Sequence, residues 1–285
     1  MAAELGNMTS AAKRLHLTQG AVSQHVRALE TELGVKLFIR LPQSVKLTDM
    51  GELFMPRAKE LIQKEKECFE EIASRNGHLC GTLRIGAGCF IETLIGPAIA
   101  KFMTLYPDVR ISMHYDYAHI LNKQLREHDL DIVFSMNDAY EHEGIVSTPC
   151  FSFQLYAVMS KKHQMARKKK VTVDDLSKCR IMLPDTGKRE LQTVQKYASF
   201  DLRRIIDATA CECNNANALL NSLELTDAVT FLPREYTINR TNLIAVPIEE
   251  FERRVCSNYH LMRDNNTKSS VKALIDIIEN TPNNS

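Results

Sequence analysis

TSAAKRLHLTQGAVSQHVRALETELGVKLFIR, at residues 9–40, is the stretch that decides the fold of the N-terminal part of this chain. It predicts two helices joined by a tight turn. Thr18 is a predicted N-cap of the second helix and Gly34 a predicted end. Apolar residues recur in that helix at spacings of four, three and four, which places them on one face: Val22, Val26, Leu29 and Leu33. We expect this stripe to be buried.

The other face of the predicted second helix is polar. It carries Gly20, Ser23, Gln24 and Arg27, and Gln19 lies between the two faces at the helix start. Short amide and hydroxyl side chains beside an arginine suit the reading of base edges in a major groove. An ordinary amphipathic helix packed on a neighbour has the same pattern, so the helix alone leaves both interpretations open.

The wider segment resembles the helix-turn-helix of LysR-type transcriptional regulators nearly position for position. Small residues before the turn fit close approach of two crossing helices. The matching positions are Ala11, Ala12, Leu15, Gln19, Ser23, Leu29, Glu30, Leu33, Gly34, Leu37, Phe38 and Arg40.

The resemblance implies a winged helix-turn-helix domain over residues 1–48 that binds a double-stranded DNA operator. Base contacts and phosphate contacts together would come from Thr18, Gln19, Gly20, Ser23, Gln24, Arg27, Arg40 and Lys46. Arg40 and Lys46 flank a predicted wing, LPQSVKLT at residues 41–48, where plain surface charge is the alternative. The family carries roughly a dozen more residues before the position of Ala3. We therefore expect a shortened first helix, and a ligand-binding module that does not bind DNA is the second hypothesis.

Residues 49–78 form a predicted linker helix for dimerisation. Its positions alternate spacings of four and three, as a coiled-coil seam requires: Phe54, Ala58, Leu61, Glu65, Cys68 and Ile72. A long helix with one apolar stripe needs a partner to cover it, so we expect a homodimer or homotetramer.

Residues 79–285 alternate predicted strands and helices, which is typical of an α/β fold. They also resemble the LysR-type effector domain through GTLRIGA at 81–87, YPDVRIS at 106–112, LDIVFS at 130–135 and FLPRE at 231–235. The resemblance implies a periplasmic-binding-protein-like effector domain of two α/β subdomains with a ligand cleft between them. We expect the chain to cross between the subdomains near residues 149–153 and 233–242.

The carboxyl ends of these strands are the expected place for a small-molecule effector. The predicted effector-binding residues are Gly88, Cys89, Phe90, Ser135, Asp185, Thr186 and Asn214, with Tyr117 as a further candidate. Cys89 and Phe90 favour an apolar or aromatic effector. Turn or capping chemistry is the alternative for each of these residues.

The amino-acid composition excludes few classes of protein. The 285 residues are 44% hydrophobic and 25% charged with a formal net charge of +1, which is ordinary for a globular protein. No apolar run long enough for a membrane span and no signal peptide is evident, so we expect a cytoplasmic protein without membrane contact. Residues 1–48 hold six Lys and Arg against three Glu, a modest basic footprint.

Catalysis is not expected. The eight cysteines form no CxxC pair and no metal-ligand spacing, and there is no nucleophile elbow or P-loop, so we predict no metal, no cofactor and no enzyme. The RKKK run at 167–170 is interpreted as a solvated loop. The sequence thus predicts a LysR-type transcriptional regulator controlled by an effector, for which RNA polymerase is an additional candidate partner.

Overall fold

A computed structural model of the chain describes residues 1–74, 79–88, 91–136, 144–185, 195–196, 198–199, 201–251, 254–263 and 267–280. At 67, 70, 71, 73 and 74 it describes the backbone alone. The chain divides into two compact units, Met1–Lys66 and Glu67–Ser285. The predicted domain borders at residues 48 and 78 stay predictions.

The first unit is the predicted winged helix-turn-helix, with two strands that pair as the wing. Its elements are α1 (Ala2–Leu5), α2 (Met8–Arg14), α3 (Gln19–Leu33), β1 (Phe38–Arg40), β2 (Val45–Leu47) and the start of α4 (Asp49–Ser74). The predicted ends of α3 are confirmed. The Thr18 hydroxyl accepts a hydrogen bond from the backbone N–H of Ala21 at 3.2 Å, and Gly34 adopts the left-handed conformation with φ 69°.

The buried stripe of α3 is shorter than predicted. Val22 belongs to the small core of this unit, with Val26 packed against it. Leu29 and Leu33, by contrast, are 37% and 40% exposed. The residues of α3 that belong to this small core or pack against it, Val22 and Val26, lie in the first half of the helix. The prediction of a fully buried stripe is therefore wrong for these two leucines.

Helix α4 carries large apolar side chains in contact with solvent. Phe54 and Ala58 of the predicted seam are half-buried, whereas the later seam positions are exposed. Exposed apolar side chains on α4 are Met50, Leu53, Leu61, Ile62, Phe69 and Ile72. Among the described residues, no helix combines the length and apolarity needed to cross a bilayer.

The second unit contains two five-stranded sheets, each with its own helices. The first sheet has the order β4-β3-β5-β12-β6, and its strands are β3 (Gly81–Ala87), β4 (Val109–Tyr115), β5 (Ile132–Ser135), β6 (Ile145–Phe153) and β12 (Val255–Met262). The second has the order β11-β7-β10-β8-β9, with β7 (Leu155–Ser160), β8 (Ile181–Pro184), β9 (Thr209–Cys213), β10 (Val229–Pro233) and β11 (Leu243–Pro247). Helices α5 (Glu92–Leu105), α6 (Ala118–Arg126) and α10 (Ser269–Glu279) accompany the first sheet; α7 (Val173–Leu176), α8 (Arg203–Ile206) and α9 (Ala216–Glu224) accompany the second. Two α/β subdomains are confirmed.

The chain crosses between the subdomains twice. The first crossing passes through Gln154, between β6 and β7, next to the predicted place. The second lies between Pro247 and Val255, so the prediction of residues 233–242 is wrong. Those residues hold a 3₁₀ helix, Arg234–Thr237, that connects β10 to β11 inside one sheet. Strand β11 pairs antiparallel with β7, so the chain stays in the second sheet until Pro247 and returns to the first sheet only after that residue.

Candidate nucleic-acid interface and effector cleft

The predicted DNA-reading residues of α3 lie on its solvent side. Thr18, Gln19, Gly20, Gln24 and Arg27 are exposed, and only Ser23, also on this face, is half-buried. The structure thus brings together a row of amide, hydroxyl and guanidinium groups at the start and middle of one helix. Their role in DNA binding stays a prediction.

The wing separates its two basic residues. Lys46 pairs with Ile39 across the wing, and Arg40 pairs with Val45. Paired residues share a face and successive residues alternate, so Arg40 and Lys46 point to opposite faces of the ribbon. Val45 is buried, whereas both basic side chains are exposed. Two phosphate contacts from the wing therefore require contacts on both of its faces.

Glu30 fixes the approach of the chain from α3 to the wing, and the sequence interpretation missed this role. Its carboxylate is buried and accepts hydrogen bonds from the backbone N–H groups of Leu37 at 2.9 Å and Phe38 at 3.2 Å. Lys36 Nζ also donates to it at 2.8 Å. Burial by itself raises the pKa of Glu30, but Lys36 and the two backbone donors outweigh burial and hold the pKa below its usual value.

We expect Glu30→Gln to lower the free energy of unfolding of the first unit by about 1–3 kcal/mol at neutral pH, because a buried backbone donor loses its charged acceptor. The pKa of Glu30 is lower in the folded state, so its contribution is present above the unfolded pKa and is lost as the pH falls through the folded pKa. Urea unfolding followed by circular dichroism at several pH values measures this.

Glu32→Gln is the matched control for Glu30, since Glu32 is an exposed glutamate of the same helix. The stability difference between wild type and Glu30→Gln should shrink as the pH falls below about 4.3, the ordinary pKa of a glutamate in the unfolded chain. A difference that grows on acidification would contradict the assigned role of Glu30.

A cleft of about 420 Å³ lies between the two subdomains of the second unit. Its described lining comes from the start of α5, the end of β4 and the start of α9: Glu92, Tyr115, Asp116, Tyr117, Asn214, Asn215, Ala216 and Asn217. Next to the cleft, the Tyr117 hydroxyl donates a hydrogen bond to Asp185 Oδ2 at 2.6 Å. Since these two residues belong to different subdomains, the bond links the two walls directly.

The predicted effector residues are only partly brought together. Asn214 lines the cleft, and Asp185 reaches it through Tyr117. Gly88 is buried, with its N–H donating to the carbonyl of Phe134 at 2.8 Å. Cys89, Phe90 and Thr186 lie outside the described residues.

Ser135 lies inside the first subdomain rather than on the described cleft wall. Its hydroxyl is 2.7 Å from His260 Nε2, and Ser147 Oγ is 2.7 Å from the other ring nitrogen. Burial lowers the pKa of His260 to about 4, so the imidazole is neutral at physiological pH. This arrangement indicates a structural polar network, which leaves an effector role for Ser135 as a prediction.

Several cleft residues were missed by the sequence interpretation. Tyr115 and Asp116 lie at the carboxyl end of β4, and Asn215 caps α9 by accepting from the backbone N–H of Ala218 at 2.9 Å. The rule that ligands collect beyond strand ends applies to β4 and β9 as it does to β3, so that signal was present. Burial, then the nearby negative charge of Glu92, raises the pKa of Tyr115.

No group of three or more His, Cys, Asp or Glu suited to a metal ion is found among the residues that the structure describes. The described lining of the cleft offers carboxylates, phenols and amides as polar recognition groups.

Comparison with known proteins matches both parts of the chain. Residues 1–52 match the model of the bacterial regulatory helix-turn-helix protein, lysR family, and residues 76–282 match the LysR substrate binding domain. The chain belongs to the LysR family of transcriptional regulators.

One curated relative is the HTH-type transcriptional regulator MetR of Buchnera aphidicola subsp. Schizaphis graminum, 30% identical over 164 residues, or 58% of this chain and 52% of the relative. The match spans about half the length of the first curated relatives.

Solved structures match over nearly the whole chain. A full-length OxyR variant from Pseudomonas aeruginosa has a TM-score of 0.73 at 19% identity, covering 99% of this chain and 96% of that one. Full-length CbnR in complex with its target DNA has a TM-score of 0.66 at 19% identity, covering 97% and 95%. These likenesses show the fold.

Proposed function

We propose that this chain is a DNA-binding transcriptional regulator whose activity is controlled by a small molecule in the cleft between the two subdomains. The observation that carries the proposal is the exposed polar row of α3, held beside a wing by Glu30, in a chain that also has an effector-type cleft. The similarity in fold to CbnR, which was solved with its target DNA, supports the DNA-binding part of this proposal.

In the proposed complex, α3 enters the major groove of double-stranded DNA. Gln19, Ser23 and Gln24 have the donors and acceptors needed to read base edges. Arg27 and the two basic wing residues contact phosphates and set the register without reading sequence. A two-fold dimer would bind an inverted repeat with half-sites about one helical turn apart.

The exposed apolar positions of α4 support self-association. Leu61, Phe69 and Ile72 are 68%, 68% and 63% exposed, and leaving such side chains in water is unfavourable. A second copy of the same helix covers them in a homodimer, and a homotetramer adds a further pairing. RNA polymerase remains a candidate partner that rests on the family resemblance.

Effector control follows from the link between the subdomains. The Tyr117–Asp185 hydrogen bond favours one separation of the cleft walls. A ligand that binds more tightly at another separation shifts the population toward that state. The change in the effector domain would then alter the arrangement of the DNA-binding heads in a dimer.

We expect Arg27→Ala to weaken DNA binding about equally for all sequences and to lower the slope of log K against log salt concentration by about one, because one phosphate contact is lost. Gln24→Ala should instead relax discrimination at one base position by about 1–3 kcal/mol. Fluorescence anisotropy of the full chain, with its own upstream intergenic DNA and scrambled competitor at two salt concentrations, measures both effects.

Arg110→Ala provides the control, since Arg110 is an exposed arginine on β4 of the effector domain. Wild-type affinity and salt slope in both α3 variants would contradict the assigned interface. Failure of the wild-type chain to bind any of the DNA would favour the alternative of a ligand-binding module.

A further inference from the structure

The described walls of the effector cleft carry negative charge. Glu92 and Asp116 are the charged residues among its described lining, and the others are tyrosines, asparagines and Ala216. No Lys, Arg or His belongs to the lining within the part of the chain that the structure describes. A bound anion would therefore approach two carboxylates without a described cation to offset them.

Glu92 also alters the part of the fold best suited to anions. It lies in the first turn of α5, a helix of 14 residues, where the unpaired N–H groups give the helix end a partial positive charge. A carboxylate at that position offsets the partial positive charge of the helix end, so less of that charge remains to attract an anionic ligand. The charge of Glu92 acts on a tyrosine of each subdomain. Burial is the largest cause of the raised pKa values of Tyr115 and Tyr236, and the negative charge of Glu92 is the second.

A neighbouring cavity of about 580 Å³ shares Glu92 and Asn217 with the cleft and adds Glu224 and Glu235. Its one described cation, Arg240, is already held by protein oxygens. Its guanidinium donates to Asn217 Oδ1 at 2.9 Å, to Asn221 Oδ1 at 2.9 Å and to Glu224 Oε1 at 3.1 Å. Three such contacts fix the guanidinium, so recruiting it to an anionic ligand would require breaking them.

Aromatic and amide groups complete the recognition chemistry. Tyr115 and Tyr117 belong to the described lining of the cleft, and aromatic rings attract ammonium and guanidinium groups. The carboxylate of Asp185, bonded to Tyr117, adds further negative charge at the edge. Asn215 Oδ1 and Asn217 Oδ1 each accept one protein donor at 2.9 Å, and a carbonyl oxygen has a second lone pair that can accept from a cationic donor.

We propose that the effector of this cleft is a small cation, an amine or a guanidine, whose positive group is held by Glu92 and Asp116 beside the tyrosines. The inference rests on the proposed function and deepens it by naming the chemical class of the effector. The expectation of an apolar or aromatic effector depended on Cys89 and Phe90, which lie outside the described residues, and it stays a prediction.

Isothermal titration calorimetry of the full chain with putrescine, butanediol and succinate tests the proposal, because these probes share a four-carbon chain and differ in end-group charge. Putrescine should bind, and succinate should not. Glu92→Gln should weaken putrescine binding about tenfold or more, because one partly buried charge pair between the carboxylate and the ligand is lost. Glu279→Gln, at an exposed glutamate in the last turn of α10, is the matched control and should leave the affinity unchanged.

Asp116→Asn gives an independent variant that preserves local structure, since an amide oxygen can still accept the hydrogen bond that Asp116 Oδ1 takes from the N–H of Tyr117 at 2.8 Å. It should also weaken putrescine binding. Preference for succinate, absence of putrescine binding, or wild-type putrescine affinity in both charge variants would overturn the proposal.

Anisotropy with DNA on the same preparation separates this inference from the proposed function. A chain that binds putrescine but no DNA would keep the inference and contradict the regulator function. A chain that binds DNA and takes only succinate would overturn the inference and leave the regulator function in place.

Discussion

Replacing Asp131 by asparagine should lower the free energy of unfolding of the effector domain by about 3–5 kcal/mol, because it leaves buried positive charge without its partner. Asp131 Oδ1 lies 2.6 Å from Arg84 Nη2 and 3.3 Å from Lys268 Nζ. Its other oxygen accepts from the backbone N–H of Arg84 at 2.8 Å. The side chains of Asp131 and Lys268 are only 5% and 7% exposed, so water cannot replace the lost carboxylate.

This cluster joins three parts of the first subdomain. Arg84 belongs to β3, Asp131 precedes β5, and Lys268 is the N-cap residue of α10. Asparagine has nearly the same shape as aspartate, so the expected loss comes from charge rather than from packing. Because the side chain keeps its shape and loses only its charge, the substitution tests the ion cluster directly.

Urea unfolding should be followed by circular dichroism, since the chain contains no tryptophan whose fluorescence could report unfolding. Asp108→Asn is the matched control, at an exposed aspartate in the turn before β4. Adding Lys268→Met to Asp131→Asn should recover part of the loss, because it removes one uncompensated charge. A loss below about 1 kcal/mol for Asp131→Asn would show that the cluster behaves like an exposed ion pair.

Gly51→Ala should destabilise the first unit by about 1–3 kcal/mol or more, the range seen for overpacking, because the nearest neighbour is backbone. A Cβ at this position would lie 2.2 Å from the carbonyl oxygen of Leu37 and 2.9 Å from Leu47 Cδ2. The first atom belongs to the backbone and accepts a hydrogen bond from Thr48 N at 3.0 Å. To admit a methyl group, the start of α4 has to move away from the wing.

The consequence of Gly51→Ala should reach DNA binding, because the same shift displaces the wing. Thermal unfolding and anisotropy on one preparation measure the two effects together. Gly20→Ala is the control for stability: a Cβ there meets only Thr18 Oγ1 at 3.9 Å, and alanine favours a helix by up to about 1 kcal/mol over glycine. Equal stabilities of the two variants would contradict the close contact at Gly51.

The local features of the DNA-binding unit could be predicted from the sequence. The cap at Thr18 and the left-handed end at Gly34 depend on residues a few positions apart, so the helix signals suffice. The extent of burial on α3 could not be predicted this way, since it depends on which parts of the folded unit pack against each turn of the helix. Leu29 and Leu33 have the right spacing and are nevertheless exposed.

The effector site was predicted less well. Asn214 and Asp185 were among the predicted effector-binding residues, but Glu92 was not. Glu92 follows a strand that had already been considered, and its importance depends on the second subdomain facing it. The second crossing was misplaced for a similar reason, since only sheet pairing shows which sheet β11 joins.

The sequence by itself determined the helix-turn-helix, the long α4 and the alternation of strands and helices, because each depends on periodicity and short-range spacing. It indicated the family through the resemblance of its motifs. The tertiary structure alone decided which polar groups meet. Tyr117 and Asp185 are 68 residues apart, and Arg84 and Asp131 are 47 apart. Such contacts form only when the sheets close, and their energy depends on burial and on the nearby charges that folding brings together.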